Sequence, residues 1–201
     1  MIKRGFDLVF AAVGLLALTP VLLVTAIVIV LESPGPVFFR QVRVGRHGAR
    51  FRIFKFRTMR GEEPTSGPIL TIGDNPRITP IGRFLRRYKI DELPQLINVV
   101  MGDMSLVGPR PEVPRYVEKW TPEQKSVVLS VRPGITGPAS VKFRNQTELL
   151  ATYPNPEVAY ETIVMQEKLK ICADYVRHAG LWTDIKLIAQ TLAALLRPNT
   201  P

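Results

Sequence analysis

The sequence predicts an α+β protein: a mostly helical domain with one small β-hairpin, preceded by an apolar membrane segment. Three observations carry this. Residues 8–31 run 24 positions without a charge. Two short β-prone stretches follow, joined by Gly45-Arg46-His47-Gly48. Beyond them apolar residues recur at helical spacing, most clearly Leu181, Trp182, Ile185, Ile188, Leu192 and Leu195. The expected division is a membrane helix over residues 1–33 and one integrated domain over 34–201.

Bulk properties fit this division. A chain of 201 residues with 46% apolar content can build one core and is not disordered. The single Cys172 cannot form an internal disulfide, which suits a reducing, intracellular setting. A formal charge of +10, from 27 basic and 17 acidic residues, attracts polyanions: nucleic acid, anionic lipid head groups or small phosphorylated molecules.

The apolar run exceeds the roughly 20 residues that span a bilayer. It is too long for the core of a signal peptide, and it leads straight into Val37-Phe38-Phe39-Arg40. Thr19-Pro20 interrupts it at the centre, and each arm is only about 11 residues, or roughly 16 Å of helix. Lys3 and Arg4 precede it, while Arg40, Arg43, Arg46, Arg50 and Arg52 follow, so a spanning helix places one basic flank outside. A helix broken at Pro20 that returns to the same face lets both flanks meet head groups. Composition leaves the two forms equally open. In either, the backbone at the break needs a polar partner, and the Thr19 hydroxyl is the candidate.

Glu32-Ser33-Pro34-Gly35-Pro36 is a stiff exit. Residues 37–42 and 50–59 read as the hairpin, on a basic edge with no acid between Glu32 and Glu62. Residues 61–75 read as a polar loop, 79–89 and 93–101 as two helices, and 114–129 and 148–150 as weaker ones. Residues 158–175 and 181–196 read as strong helices, the last either core or interfacial with Trp182 as anchor.

The chemistry concentrates in Arg86-Arg87-Tyr88-Lys89-Ile90-Asp91-Glu92-Leu93-Pro94-Gln95-Leu96. Asp91 reads as a helix N-cap with Pro94 in the first turn, a place where free amides favour a phosphate. Such a carboxylate tolerates a phosphate beside it only when cations screen both. Arg86, Arg87 and Lys89 are near in sequence, and carboxylates with phosphate oxygens suit Mg²⁺ better than zinc. Asp-Glu at a helix start is also a common structural cap. Further on, Pro109-Arg110-Pro111 fixes a guanidinium for planar anion contact. Arg132, in Val131-Arg132-Pro133-Gly134-Ile135-Thr136-Gly137, is either salt-bridged or phosphate-binding, and Arg144 follows in a polar loop.

Together these passages resemble the bacterial initiating sugar transferases, small monotopic phosphoglycosyltransferases of polyprenol-linked glycan assembly. The resemblance spans nearly the whole chain. It rests on Lys3-Arg4-Gly5-Phe6-Asp7, Lys55-Phe56-Arg57-Thr58-Met59 and Asp91-Glu92-Leu93-Pro94-Gln95-Leu96-Ile97-Asn98-Val99. It continues through Gly102-Asp103-Met104-Ser105, Gly108-Pro109-Arg110-Pro111 and Arg132-Pro133-Gly134-Ile135-Thr136-Gly137.

The resemblance implies a re-entrant helix broken at Thr19-Pro20, on the cytoplasmic face of the bacterial inner membrane, with interfacial amphipathic helices. It implies Asp91 as nucleophile and Glu92 as its partner, both holding Mg²⁺. Arg86 and Arg144 would bind phosphates, and Pro109, Arg110 and Pro111 the nucleotide sugar. Arg132, Lys55 and Arg57 complete the candidate substrate contacts. The expected reaction takes sugar 1-phosphate from a nucleoside diphosphate sugar, UDP-linked, to polyprenyl phosphate through an aspartyl-phosphosugar, releasing UMP. Its partners are these two substrates and membrane lipids, with no nucleic acid; a homodimer stays open. Pro138 and Ser140 depart from the leucine and glutamine common in the family, which leaves the sugar open. A membrane-anchored nucleic-acid-binding protein or a non-enzymatic scaffold leaves the carboxylate pair unexplained.

Overall fold

A computed structural model describes residues 2–61 and 75–196. The expected loop over 61–75 lies almost wholly outside them. Helix α1 (Ile2–Glu32) forms one helical element that includes Pro20. Its inward residues recur every three or four positions: Asp7, Ala11, Thr25 and Ile29 are buried, and Leu15, Leu18 and Leu22 pack partly against the domain. The stripe therefore runs through the proline without changing face. The other faces are apolar and bare, with Leu16 76% and Leu31 81% exposed. By length and composition α1 could cross a membrane.

Two expectations about this segment need correction. The Thr19 hydroxyl donates to the Leu15 carbonyl at 2.8 Å, whereas Pro20, having no N–H, leaves the Leu16 carbonyl short of its donor. Thr19 thus back-bonds one residue early, a contact that bends helices. Lys3 and Arg4 also face protein. Arg4 donates to the carbonyls of Val99 (2.7 Å) and Val100 (3.1 Å), near the negative end of another helix. Lys3 pairs with the buried Asp184 and donates to the Val107 carbonyl at 3.1 Å. The far end is tied too: Glu32 accepts from the Ile81 amide at 2.9 Å.

Strands β1 (Phe38–Val44) and β2 (Arg50–Phe56) form the antiparallel hairpin, in register from Phe38 opposite Phe56 to Val44 opposite Arg50. Ile53 and Phe56 are buried among residues that pack on α1. Helix α2 (Pro80–Arg87) and helix α3 (Gln95–Met101) follow as expected. Gly82 is required in α2, because a Cβ there would lie 2.2 Å from the Thr58 carbonyl oxygen.

The run over 114–129 is two helices, α4 (Pro114–Glu118) and α5 (Pro122–Val128). Thr121 starts the second with a full capping box to Gln124, and Pro122 at its first position cannot continue the first. A parallel strand pair, unforeseen in the sequence, lies inside the two stiff turns: β3 (Ser105–Val107) pairs with β4 (Gly134–Thr136). The flanking backbones touch so closely that a Cβ on Gly134 would sit 2.0 Å from the Gly108 nitrogen.

Helices α6 (Pro138–Lys142), α7 (Gln146–Ala151) and α8 (Pro156–Ala159) lead through a π-helical turn at Tyr160–Val164 into α9 (Met165–Arg177). Helix α10 (Leu181–Leu196) matches its expected bounds. The largest core cluster joins Val113, Tyr116, Trp120, Leu150, Tyr160 and Met165. A second, with Ala11, Ile53, Leu96 and Val99, joins α1 to β2 and α3.

Candidate active site

Asp91 and Glu92 are both buried in a tight 3₁₀ turn, Ile90–Glu92. Asp91 is not a helix cap. Lys89, at φ 57°, reverses the chain ahead of it, and Pro94 takes the N-cap place of α3 without a side-chain bond. Glu92 and Leu93 donate to the carbonyls of Lys89 (3.2 Å) and Ile90 (3.1 Å), and Leu96 donates to Leu93. Pro94 has no N–H, so the backbone winds tightly and these amides are already used. The expected phosphate cradle of free helix amides is therefore absent at these residues.

Cations meet the pair from two other elements. From the Gly108–Pro111 turn after β3, Arg110 grips Glu92 bidentately, with Nη1–Oε2 at 3.0 Å and Nη2–Oε1 at 2.6 Å. From β2, Lys55 Nζ lies 2.9 Å from Glu92 Oε1 and 3.9 Å from Asp91 Oδ2. The backbone on either side of Arg110 is pinned. The Pro109 carbonyl accepts from Gly134 N at 2.9 Å, and that of Pro111 accepts from Arg43 at 3.1 Å.

The two carboxylates thus differ sharply. Burial opposes ionisation of Glu92, yet Arg110 and Lys55 overcome it and hold its carboxyl well below the ordinary range. Burial pushes the Asp91 carboxyl up; Lys55 counters this and the Glu92 charge adds to it. Asp91 Oδ1 is buried and has no hydrogen-bond partner. Burial also lowers Lys55, with Glu92 opposing.

Other expected residues divide into near and far. Arg86 is close enough for Asp91 to offset part of the burial that lowers its pKa, and its Nε donates to Thr58 Oγ1 at 2.8 Å. Arg57 faces the end of α1, donating to the carbonyls of Ser33 (2.7 Å) and Pro34 (2.5 Å). Arg132 donates to the Gly102 carbonyl at 2.7 Å, at the end of α3 opposite the carboxylates. Arg144 is half-buried in the turn between α6 and α7.

Sequence reasoning missed Asn98, which accepts from Phe54 N at 2.8 Å and donates to the Arg52 carbonyl at 3.0 Å. This side chain stitches α3 to the exposed edge of β2. Gln95 was missed too: it is fully buried, with neither amide atom bonded. Its place four residues after Asp91, on the same side of a helical path, was the available signal.

Among the described residues no three His, Cys, Asp or Glu side chains converge as a metal site. The unbonded Asp91 Oδ1 fits one ligand of a Mg²⁺ whose remaining ligands are phosphate and water oxygens. Glu92 does not fit as a direct ligand while Arg110 and Lys55 occupy its oxygens.

A buried acid pair screened by cations thus sits on a domain joined to one helix long and apolar enough to cross a membrane. The chain belongs to the bacterial sugar transferase family, whose model matches residues 1–198. It is 37% identical over 195 residues to a UDP-glucose:undecaprenyl-phosphate glucose-1-phosphate transferase of Escherichia coli K12, covering 96% of this chain and 39% of that one. A protein of the same description from Caulobacter vibrioides is 39% identical over 197 residues, covering 96% and 69%. A UDP-N-acetylgalactosamine-undecaprenyl-phosphate N-acetylgalactosaminephosphotransferase of Aeromonas hydrophila is 37% identical over 199 residues, covering 97% and 44%. The chain thus spans about two fifths of the Escherichia coli and Aeromonas relatives and over two thirds of the Caulobacter one.

Proposed function

We propose that the protein transfers a sugar 1-phosphate from a UDP-sugar to polyprenyl phosphate, with Asp91 as nucleophile. The observation that carries this is the asymmetry of the pair. Glu92 is locked by Arg110 and Lys55, while Asp91 keeps an unbonded oxygen and a raised pKa, hence greater basicity. Asp91 attacks the phosphorus that bears the sugar. A P–O bond forms to the carboxylate, the bond to the bridging oxygen breaks, and UMP leaves with that oxygen. A polyprenyl phosphate oxygen then attacks the same phosphorus, restoring the carboxylate and releasing polyprenyl diphosphate sugar. The ping-pong order lets one site serve two phosphorylated substrates in turn.

Lys55 and Arg86 screen the incoming phosphates, and Arg110 fixes Glu92 so that its charge stays oriented beside Asp91. Bound Mg²⁺, held by Asp91 and the donor's phosphates, would supply charge neutralisation for the departing UMP.

The membrane arrangement in this proposal is monotopic and re-entrant, on the cytoplasmic face. Both ends of α1 bond to the same domain, through Lys3, Arg4 and Asp7 at one end and Glu32 at the other, and its middle packs there too. A helix crossing to the far side would have to give up one set of these contacts. Pro20 supplies the bend, the bare apolar faces of α1 meet lipid, and a lipid acceptor arrives at head-group level.

The test is UMP release from UDP-sugars by the purified protein with Mg²⁺ and polyprenyl phosphate, alongside intact-mass detection of a phosphosugar adduct. Asp91→Asn should lose both while remaining folded in detergent. An adduct formed by that variant rules out the nucleophile.

A further inference from the structure

A cavity of about 30 Å³ is lined by Arg110, Glu112, Trp120, Ser140, Tyr160 and Lys168 among others. Two of these side chains carry polar atoms with no partner. The indole N–H of Trp120, a residue only 5% exposed, is buried without a partner, and so is the Ser140 hydroxyl. Lys168 reaches in from α9. Its ammonium bonds the neutral Gln146 amide oxygen and lies 5.2 Å from the Tyr160 ring centroid. The acid facing it is Glu112, which already accepts from the Tyr160 hydroxyl at 2.5 Å and lies 4.0 Å from Arg43. Among the described residues no carboxylate forms an ion pair with Lys168. Burial accordingly lowers the Lys168 ammonium to about 8, with Glu112 only partly opposing.

An indole N–H and a hydroxyl left without partners, beside an ammonium and the Glu112 carboxylate, call for a ligand oxygen that accepts and can also donate, as a hydroxyl does. Size narrows the choice. One water needs about 10–15 Å³, so the cavity takes a substituent and not a nucleobase or a whole sugar ring. Position narrows it further. Arg110 forms one wall and also grips Glu92 beside Asp91, so the cavity adjoins the reacting centre. The sugar is bonded directly to the phosphorus that Asp91 attacks, whereas the nucleoside lies a phosphate further away.

We propose that this cavity is a donor-sugar subsite, in which Lys168, Ser140 and Trp120 hold a hydroxyl on one arm of the ring. The inference rests on the UDP-sugar reading of the site. Lys168 and Ser140 then determine which sugar is accepted.

The experiment measures binding by calorimetry in detergent, on full-length Asp91→Asn protein that cannot turn over its ligand. The probes are UDP, UDP-glucose, UDP-galactose and UDP-N-acetylgalactosamine. At least one UDP-sugar should bind more tightly than UDP. Adding Lys168→Met, or separately Ser140→Ala, should shrink that margin, about tenfold for Lys168, with UDP affinity unchanged. Ser140→Ala removes one unpartnered oxygen from a short helix and guards against misfolding of the lysine variant. Equal weakening of UDP and UDP-sugar would mean a phosphate or nucleoside contact and overturn the subsite. An unchanged margin would mean that the cavity holds water only, and overturn it as well. If wild-type protein releases no UMP from a sugar whose binding margin depends on Lys168, the reaction fails and the subsite stands. If no nucleotide sugar binds, both fall.

Discussion

The protein contains two buried acidic centres built from similar parts, and they end differently. At the first turn of α1, Asp184 is 1% exposed and both its oxygens are bonded, one to Lys3 and one to the Tyr175 hydroxyl at 2.6 Å. Nearby Asp7 accepts from Leu106 N at 3.1 Å. At the end of β2, Asp91 and Glu92 are also buried among cations, yet Asp91 Oδ1 has no partner. Both Asp184 oxygens are spent on structure, whereas Asp91 keeps one oxygen free for the proposed attack. Burial and charge are common to both centres; what separates them is one unused lone pair.

The sharpest way to break this comparison is to neutralise each centre in turn. Asp91→Asn should lose UMP release altogether, by at least about a thousandfold, yet leave thermal stability equal or higher. Its raised pKa means that the ionised form is costly in the fold, so a neutral amide relieves that cost. Glu92→Gln should come next, cutting turnover roughly a hundredfold and also destabilising, because Arg110 and Lys55 would keep buried charges without their partner. Stability unaffected by Glu92→Gln would show that the cations do not depend on it.

Asp184→Asn should act in the opposite sense. It removes the charge that Lys3 answers while keeping the Tyr175 contact possible in size. Lys3 is 40% exposed, so the loss should be about 2 kcal/mol, below that of a fully buried pair, and visible as a lower melting temperature. The UMP release of the protein that stays folded should change only a few-fold. A loss of activity as complete as that of Asp91→Asn, without loss of stability, would erase the distinction.

These two centres were unequally legible in the sequence. Asp91-Glu92 stood out because its residues are adjacent, and Pro109-Arg110-Pro111 because prolines advertise a fixed guanidinium. Lys3 and Asp184 are 181 positions apart, and local spacing carries no signal for such a pair. The hairpin and α10 were readable from alternation and helical period. The pair of β3 and β4 was not, since each strand is three residues long and glycine-flanked, which reads as turn. Asp91 reads as a cap in sequence because its residue type and the following Pro94 suit one. The left-handed Lys89 that winds it into a 3₁₀ turn is a backbone choice with no sequence mark of its own.

Acidification sharpens the same contrast. The proposed reaction needs ionised Asp91, whose pKa is raised, so activity should fall as pH drops through a value above the ordinary aspartate range. Glu92 is depressed. The stability it contributes is present above its unfolded pKa and is lost only as pH falls through its much lower folded value. Inactivation should therefore precede unfolding, with UMP release lost over a pH interval in which intrinsic fluorescence remains native. Coincident curves would mean that Asp91 does not titrate ahead of the fold.

The smallest expected effect concerns Arg57, which lies one residue from the β2 strand that supplies Lys55 and resembles a substrate contact in sequence. In the structure its guanidinium holds the carbonyls of Ser33 and Pro34, just past the end of α1. Gly35 is required beneath it: at φ 124°, a Cβ would lie 2.2 Å from the Arg57 Nη1. Arg57→Ala should thus cost about 1–2 kcal/mol of stability, for two charge-assisted bonds to partly exposed carbonyls, and leave the donor KM within about twofold. Lys55→Ala, two residues away, should raise that KM. A donor KM that rises with Arg57→Ala as much as with Lys55→Ala would move Arg57 from the helix exit into the substrate site.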